Sequence, residues 1–257
     1  MKKKLPVVAG FLFVAAILLV GCSKKSVTIS SAKDLDGLKI GVVSGYTGEM
    51  WCQDNLPKAK LSSFKSGMDA ALDLKVGAVD AVVLDELPAK EILAKNDDLA
   101  IVNDDFATEE YSIAVKKGNT ELLNSINKTI AEMKSNGEYE KLINSFMPVD
   151  GQIVIPETIV TNGDDLKMGT NCAFPPFEYI EGAKKVGFDI TLSELIAKNA
   201  GKKLEVIDMA FDSLIGALQA NQIDFIAAGM SVTPERQKNV DFSDAYYSSK
   251  QVILVRK

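Results

Sequence analysis

The sequence contains no histidine, and this absence restricts the chemistry that the protein can perform. Histidine is the usual general base near neutral pH and the commonest metal ligand in proteins. Nucleophilic sites built on Ser–His or Cys–His pairs are therefore excluded, as are histidine-based zinc or manganese sites. We expect no metal site and no cofactor.

Cysteine is also scarce, with three residues in the whole chain. Cys22 lies in the N-terminal leader described below, which leaves Cys52 and Cys172. In an exported chain these two could form a disulfide, but a single pair is weak support for a disulfide framework. The sequence leaves their pairing open.

Basic residues are outnumbered by acidic ones, 29 against 35, which gives a formal net charge of −6. Removal of residues 1–21 would take away three lysines and no acids, so the net charge would become −9. An acidic exported protein is a poor candidate for binding nucleic acid, and we expect no such partner.

The first 22 residues have the composition of a leader. Lysines at 2–4 are followed by an apolar run over 7–20, which is short for a membrane-spanning helix. The tetrad at 19–22 is similar to the lipobox of bacterial lipoproteins, in which the cysteine becomes the lipidated first residue. A plain signal peptide and a membrane helix are the alternatives. We expect lipidation of Cys22 by a palmitate-type anchor, on the outer side of the cell membrane.

Two segments of the chain resemble each other, namely 71–85 and 215–229, with Asp80 and Asp224 in matching positions. Each follows a strand–loop–helix–strand pattern, so the chain contains two β-α-β-α-β units. This predicts a two-lobed α/β fold. In open α/β sheets, ligands bind beyond the carboxyl ends of the strands, and two such edges facing each other form a cleft.

The predicted divisions follow from these units and from a Pro-, Gly- and Asp-bearing linker between them. They are the leader 1–22, the smaller lobe two at 23–108, a crossing strand at 109–117, helices packing on lobe one at 118–147, the linker 148–165, lobe one at 166–250 and a terminal hinge strand at 251–257.

The stretch 223–236 carries the main candidate for a binding site. An apolar run ending at Gly229 predicts a buried parallel strand, and Thr233 with the proline after it predicts the start of a helix. Free N–H groups at that start, the Ser231 hydroxyl and the Arg236 guanidinium all suit an anion. An ordinary turn with a solvated arginine is the alternative, but the second matching unit favours a site.

Lobe two supplies complementary groups at its own strand ends. Thr47 offers a second hydroxyl to the anion, and Asp85 suits a cation. A carboxylate and an ammonium held close together describe an α-amino acid. Asp85 has an alternative role, because it could cap the helix that contains Pro88.

Aromatic residues near the predicted cleft could form its walls. Phe174 and Phe177 flank a Pro-Pro pair; we expect Phe174 in the pocket and Phe177 in the core. Phe211, beside the cleft, fits either place equally well. Trp51 fits the core better.

The most specific motifs are Gly-Thr-Asn-Cys-Ala-Phe-Pro-Pro-Phe-Glu-Tyr at 169–179 and Ala-Gly-Met-Ser-Val-Thr-Pro-Glu-Arg at 228–236. Through them, residues 26–147 and 166–257 resemble the bacterial extracellular solute-binding proteins of family 3, the amino-acid receptors of ABC transporters. The resemblance implies a type II periplasmic-binding-protein-like fold. It also implies that the α-carboxylate is held by Arg236, Ser231 and Thr47, the ammonium by Asp85 and the Gly229 carbonyl, and the side chain between Phe174 and Phe211.

The chain departs from the family pattern in residues and in order. Asn171 stands where members that bind cationic side chains often have Asp, which favours a polar neutral ligand, and Leu84 replaces a polar residue beside Asp85. In the family the block 166–257 precedes 26–147, so the chain resembles a circular permutation joined by 148–165. We expect only the segment near 109–117 to connect the lobes covalently.

These observations predict an exported, monomeric, lipid-anchored receptor that binds an amino acid and delivers it to an ABC permease. One alternative is a dehydratase-like enzyme on the same fold, which would need Asp85 or Glu49 as its acid or base. Another is a sensor lipoprotein that uses the same pocket without transport. The identity of the amino acid and the membrane that carries the anchor stay open.

Overall fold

A computed structural model of the protein describes residues 28–257. The predicted leader and its Cys22 lie outside the described residues. Of the helices in the described part, none has both the length and the apolar character needed to span a bilayer.

The described chain alternates strands and helices in both halves. The strands are β1 Lys39–Val43, β2 Lys60–Phe64, β3 Ala81–Asp85, β4 Leu99–Val102, β5 Thr108–Tyr111, β6 Ala114–Lys116, β7 Asp165–Thr170, β8 Ala173–Phe174, β9 Glu178–Glu181, β10 Lys184–Val186, β11 Lys203–Asp208, β12 Phe225–Ile226, β13 Val240–Phe242 and β14 Tyr247–Arg256. The α-helices are α1 Thr47–Asn55, α2 Gly67–Val76, α3 Glu86–Leu93, α4 Thr120–Asn136, α5 Glu138–Phe146, α6 Phe188–Asn199, α7 Leu214–Gln219 and α8 Pro234–Gln237. Short 3₁₀ turns cover Ala32–Leu35 and Phe211–Ser213.

Local sequence signals set the ends of the helices. At the start of α2, the Ser66 hydroxyl accepts the Asp69 N–H, which satisfies one of the free donors of the first turn. The same helix ends at Gly77, whose left-handed backbone (φ 75°) is readily adopted by glycine. In the same way, the Asn119 side chain caps the start of α4, and Gly137 ends that helix with a left-handed backbone.

The lobe-two sheet has the strand order β2-β1-β3-β14-β4. Its first three strands run parallel, with α1 and α2 as crossover helices, whereas β14 is antiparallel to both β3 and β4. All five residues of β3 are buried, as expected for a central strand covered on both faces.

The lobe-one sheet has the order β11-β7-β12-β6-β13. Here β11, β7 and β12 run parallel, and β6 is antiparallel to β12. The three parallel strands have the same spatial order in both sheets. The second strand along the chain lies at the edge, the first lies in the middle, and the third lies on the other side of the first. The predicted pair of β-α-β-α-β units is confirmed. A small antiparallel sheet, β8 to β10, is inserted after β7 and was not predicted.

Two segments, and not one, connect the lobes covalently. The first leaves the lobe-two sheet through β5 and enters the lobe-one sheet as β6. The second leaves β13 of the lobe-one sheet and continues as β14, which pairs first with β5 and then with β3 and β4. The expectation of a single covalent crossing was wrong, because ten residues of extended chain can reach roughly 33 Å and so pass from one lobe into the other.

Residues 148–165 contain no helix or strand before β7. They lie against lobe one through main-chain hydrogen bonds. The Val154 N–H donates to Ser145 O (2.9 Å), and the Ile159 N–H donates to the Glu194 carboxylate (3.0 Å).

Cys52 and Cys172 are both unpaired in the structure. Cys52 is fully buried in the apolar cluster of lobe two, and Cys172 follows β7 in lobe one. Burial raises the pKa of each thiol to about 12, so neither is a reactive thiolate at neutral pH.

Candidate functional site

Arg236 lies buried between the two lobes. Its guanidinium donates to Ser231 O (2.7 Å), which follows β12 in lobe one, and to Gly45 O (2.9 Å), which follows β1 in lobe two. One positive charge therefore contacts both sheet edges. Burial lowers the pKa of this guanidinium, and the nearby Glu109 and Asp85 oppose that shift.

The turn that places Arg236 forms as the sequence predicts, with one difference. The Thr233 hydroxyl accepts the Arg236 N–H (3.2 Å), and Pro234 is the first helical residue. The helix is only one turn long, so its dipole is small and cannot supply the anion site that we expected from it. The positive charge comes from the guanidinium itself.

The hydroxyls of Ser231 and Thr47 converge on one carboxylate oxygen of the protein itself. That oxygen is Oε2 of Glu109, with the Thr47 hydroxyl at 2.5 Å and the Ser231 hydroxyl also within hydrogen-bond distance. Oε1 of Glu109 accepts the Gln251 amide (2.5 Å). Sequence reasoning missed both Glu109 and Gln251, which lie on the paired strands β5 and β14.

Asp85 is almost completely buried at the carboxyl end of β3. It occupies the N-cap position of α3, but its carboxylate makes no capping hydrogen bond and instead accepts the Tyr111 hydroxyl (2.5 Å). Burial, followed by the charge of Glu109, raises the pKa of Asp85 well above its usual range. A cation placed beside Asp85 would relieve that shift and favour the ionised carboxylate.

Aromatic rings pack beside this polar group. Tyr46 lies between Phe174 (5.3 Å between ring centroids) and Phe211 (4.1 Å), and the Arg236 guanidinium lies 5.2 Å from the Phe211 centroid. Phe211 therefore carries a cation–π contact. Phe177 is fully buried, as expected for a core residue. Trp51, expected in the core, is half-buried and lies 4.5 Å from Phe106.

A cavity extends from Asp85 and Phe174 between the lobes. The volume in it that water can occupy is small, about 50 Å³. Most of its lining is apolar, and the charged residues besides Asp85 are Glu91 and Lys95.

Neither Gly229 nor Asn171 lines this cavity. Gly229 has a left-handed backbone (φ 51°), and a Cβ there would lie 2.5 Å from the Phe174 ring, so the turn needs glycine. Asn171 donates its amide to Met209 O (2.9 Å), and it is not among the residues that line the cavity.

Glu178 and Asp189 are both fully buried, and Asp189 supports the Gly229 turn. Asp189 accepts the Gly229 N–H (2.9 Å) and the Tyr246 hydroxyl (2.6 Å). Burial raises the pKa of Asp189 to about 6. Burial, followed by the charge of Asp189, raises the pKa of Glu178 well above its usual range.

Glu49, which the enzymatic alternative requires as acid or base, is engaged within lobe two. It accepts the Gly45 N–H (2.7 Å) and the Ser63 hydroxyl. Within residues 28–257, no cluster of three or more His, Cys, Asp or Glu side chains is arranged to hold a metal ion.

Comparison with known proteins assigns most of the chain to one family. The model of the bacterial extracellular solute-binding proteins, family 3, matches residues 22–149 and 166–257. The arginine-binding extracellular protein ArtP of Bacillus subtilis (strain 168) is 51% identical over 92 residues, 36% of each chain. The L-cystine-binding protein TcyJ of Escherichia coli (strain K12) is 35% identical over 124 residues, 48% of this chain and 47% of its own.

The chain thus spans about a third to a half of the length of these relatives. Among solved structures, an ancestral arginine-binding protein bound to arginine is 49% identical over 33% of this chain and 38% of its own, with a TM-score of 0.33.

We predict that Asp189→Asn changes how stability depends on pH. A raised folded-state pKa stabilises the protein below the unfolded pKa, near 3.8, and this contribution is lost as the pH rises through about 6. Two pH units at about 1.4 kcal/mol each give a loss of about 3 kcal/mol in the wild type, which Asp189→Asn should not show. Urea unfolding of both proteins from pH 4 to pH 7 measures the difference.

The exposed Asp54→Asn variant serves as the control and should follow the wild-type pH profile. If Asp189→Asn follows that profile as well, Asp189 is not the titrating group.

Proposed function

Because this chain belongs to the bacterial extracellular solute-binding proteins, family 3, we propose that it binds an α-amino acid between its two lobes and delivers it to an ABC importer. The observation that carries the proposal is the convergence of the Ser231 and Thr47 hydroxyls on one carboxylate position, with the Arg236 guanidinium and the Asp85 carboxylate close by. This arrangement is complementary to a zwitterion.

In the proposed complex the α-carboxylate lies against Arg236 and the two hydroxyls. The ammonium lies against Asp85 and the Gly229 carbonyl, with Phe174 and Phe211 as walls. Each charge-assisted hydrogen bond contributes about 1.5–3 kcal/mol. Three or four of them, less the cost of ordering the ligand, are sufficient for a micromolar Kd, roughly −8 kcal/mol.

We propose a polar side chain for the ligand. The relatives compared above are named for arginine and cystine, and a third, from Campylobacter jejuni, is a probable histidine-binding protein. Glu91 and Lys95 offer one charge of each sign at the cavity wall, which suits a polar group better than a purely apolar one. Asn171 remains a candidate contact through the loop it shares with Phe174.

Ligand binding would stabilise the closed cleft. Arg236 and Ser231 belong to lobe one, whereas Thr47 and Asp85 belong to lobe two. A ligand that contacts both groups binds the closed arrangement better than an open one and shifts the population towards it. The paired strands β5 and β14 are the natural hinge, since both segments that connect the lobes run through them.

We further propose that the chain is a receptor without catalytic activity. The two carboxylates nearest the cleft centre, Asp85 and Glu109, accept hydrogen bonds that fit a binding role, and Glu49 is engaged elsewhere. Incubation with cyclic carboxylic acids and detection of a dehydrated product would contradict this.

A thermal-shift screen of the twenty amino acids would identify the ligand. A ligand at about 100 times its Kd should add about 2.7 kcal/mol of stability. We then predict that Arg236→Ala weakens binding at least about 100-fold in calorimetry, because two or more charge-assisted hydrogen bonds are lost.

Arg256→Ala is the matched control, since Arg256 also donates to two main-chain carbonyls, of Leu74 and Val79, but in lobe two away from the cleft. Both variants should lose stability, and only Arg236→Ala should lose affinity. Wild-type affinity in Arg236→Ala would disprove the site.

We propose that the chain is a circular permutation of the family order. The family model matches two segments separated at the linker, and the pairwise matches stop at a third to a half of each chain, which suits a changed order of blocks. Ile29 and Val255 pack against the same apolar cluster of lobe two, so a short connection between them is sterically reasonable.

A chain rebuilt as 166–257, a short linker and 28–147 should therefore fold with the same ligand affinity as the original, within about threefold, because every strand keeps its neighbours. Calorimetry and circular dichroism test this. A rebuilt chain that stays unfolded would contradict the proposal.

We also propose that residues 1–21 are removed as a signal peptide and that Cys22 carries a palmitate-type lipid, which holds a monomeric receptor at the outer face of the membrane. The sequence pattern at 19–22 supports this proposal.

The expected result for Cys22→Ser is a shift from the detergent phase to the aqueous phase in Triton X-114 partitioning, because the lipid supplies the membrane affinity. Retention of the variant in the detergent phase would exclude Cys22 as the anchor, and Cys52→Ser provides the control.

A further inference from the structure

Glu109 holds the position that the proposed function assigns to the carboxylate of the ligand. Its Oε2 accepts hydrogen bonds from both Thr47 and Ser231, and its Oε1 accepts one from Gln251. We propose that Glu109 is an internal competitor of the ligand, which must leave these hydroxyls before the α-carboxylate can bind. This inference rests on the proposed function and deepens it.

The contacts of Glu109 match those expected for a bound carboxylate. The two hydroxyls come from opposite lobes, Thr47 from the start of α1 and Ser231 from the segment after β12. Glu109 itself lies on β5, in the hinge, paired with Ser249 of β14. Its carboxylate therefore ties the two lobes together in the way that a ligand carboxylate would.

Glu109 is not explained as half of an ion pair. In the part of the chain that the structure describes, no Lys or Arg nitrogen lies within 4.0 Å of its oxygens. The Arg236 guanidinium interacts with it electrostatically but directs hydrogen bonds to the carbonyls of Ser231 and Gly45. The Glu109 carboxylate is therefore held by its hydroxyl donors and not by a direct ion pair.

A ligand carboxylate and Glu109 cannot use these donors together. Each hydroxyl has a single proton to donate, and both of those protons already point to Oε2. Two carboxylates at hydrogen-bond distance from the same donors also repel each other strongly in a buried site. Binding therefore requires Glu109 to move, and the apparent affinity falls by the fraction of molecules in which it has moved.

Glu109 has a different possible role, which the experiment must separate from competition. It interacts with Asp85, so both acids could hold the ammonium of the ligand together. In that case removal of its charge would weaken binding. Competition predicts the opposite sign.

Glu110 provides a matched control. It is the next residue on β5, it is exposed, and alternation along the strand turns it to the other face. Glu110→Gln removes the same charge from the same strand without touching Thr47, Ser231 or Gln251.

The experiment is calorimetric titration of the full chain with the amino acid identified by thermal shift, at one pH and one salt concentration. We expect Glu109→Gln to bind at least about fivefold more tightly than the wild type, because a neutral amide competes less well for the hydroxyls. Glu110→Gln should bind within about twofold of the wild type. Equal or weaker binding by Glu109→Gln would overturn the proposal.

A second measurement uses acetate as the probe and does not depend on amino-acid binding. Glu109→Ala leaves the two hydroxyls and the Gln251 amide without their carboxylate, so acetate at tens of millimolar should raise its Tm, and methylammonium chloride should not. The wild type and Glu110→Ala should not respond to acetate. If acetate stabilises none of these proteins, the recognition of a carboxylate at this position is wrong.

The two measurements distinguish a failure of the proposed function from a failure of the competition inference. If no amino acid binds the wild type or Glu109→Gln, the proposed function fails, and the competition inference stands or falls on the acetate result. If the wild type binds an amino acid but Glu109→Gln gains nothing, the inference fails and the proposed function survives.

Discussion

The structure depends on a small set of charges buried between two sheets. Arg236 contacts main-chain carbonyls of both lobes, and the carboxylates of Asp85 and Glu109 lie close to it. Charges removed from water are costly unless they are paired and hydrogen-bonded. Here the hydroxyls of Thr47 and Ser231 donate hydrogen bonds to the Glu109 carboxylate. This cluster exists only where the two strand edges meet, so it links the arrangement of the two lobes to the polar chemistry of the cleft.

The hinge contributes to the same cluster. Strands β5 and β14 connect the lobes, and they supply Glu109 and Gln251 to the polar group between them. A change in the angle between the lobes would therefore alter the hydrogen bonds of Glu109 directly. Behind the cleft, the Asp189 carboxylate fixes the Gly229 turn, which in turn limits where Phe174 can lie. The proposed binding site and the hinge thus share contacts of a few ångströms.

Part of this organisation could be predicted from sequence. The likeness of 71–85 to 215–229 was sufficient for the duplicated units, because strand and helix periodicities are local, and the turn at 231–236 followed from capping residues. Glu109 could not be found in this way, since its role depends on the register of β5 with β14, two segments 142 positions apart where they meet. The second covalent crossing was missed for the same reason: a continuous strand gives no local signal of the sheet it enters.

The central claim is that this cleft recognises a carboxylate between Arg236, Thr47 and Ser231. A crystal structure with the amino acid found by thermal shift tests it most directly. We predict the α-carboxylate within about 3 Å of both hydroxyls and the guanidinium, with Glu109 moved off them and the ammonium beside Asp85. A bound amino acid with its carboxylate elsewhere, and Glu109 still hydrogen-bonded to Thr47 and Ser231, would contradict the account.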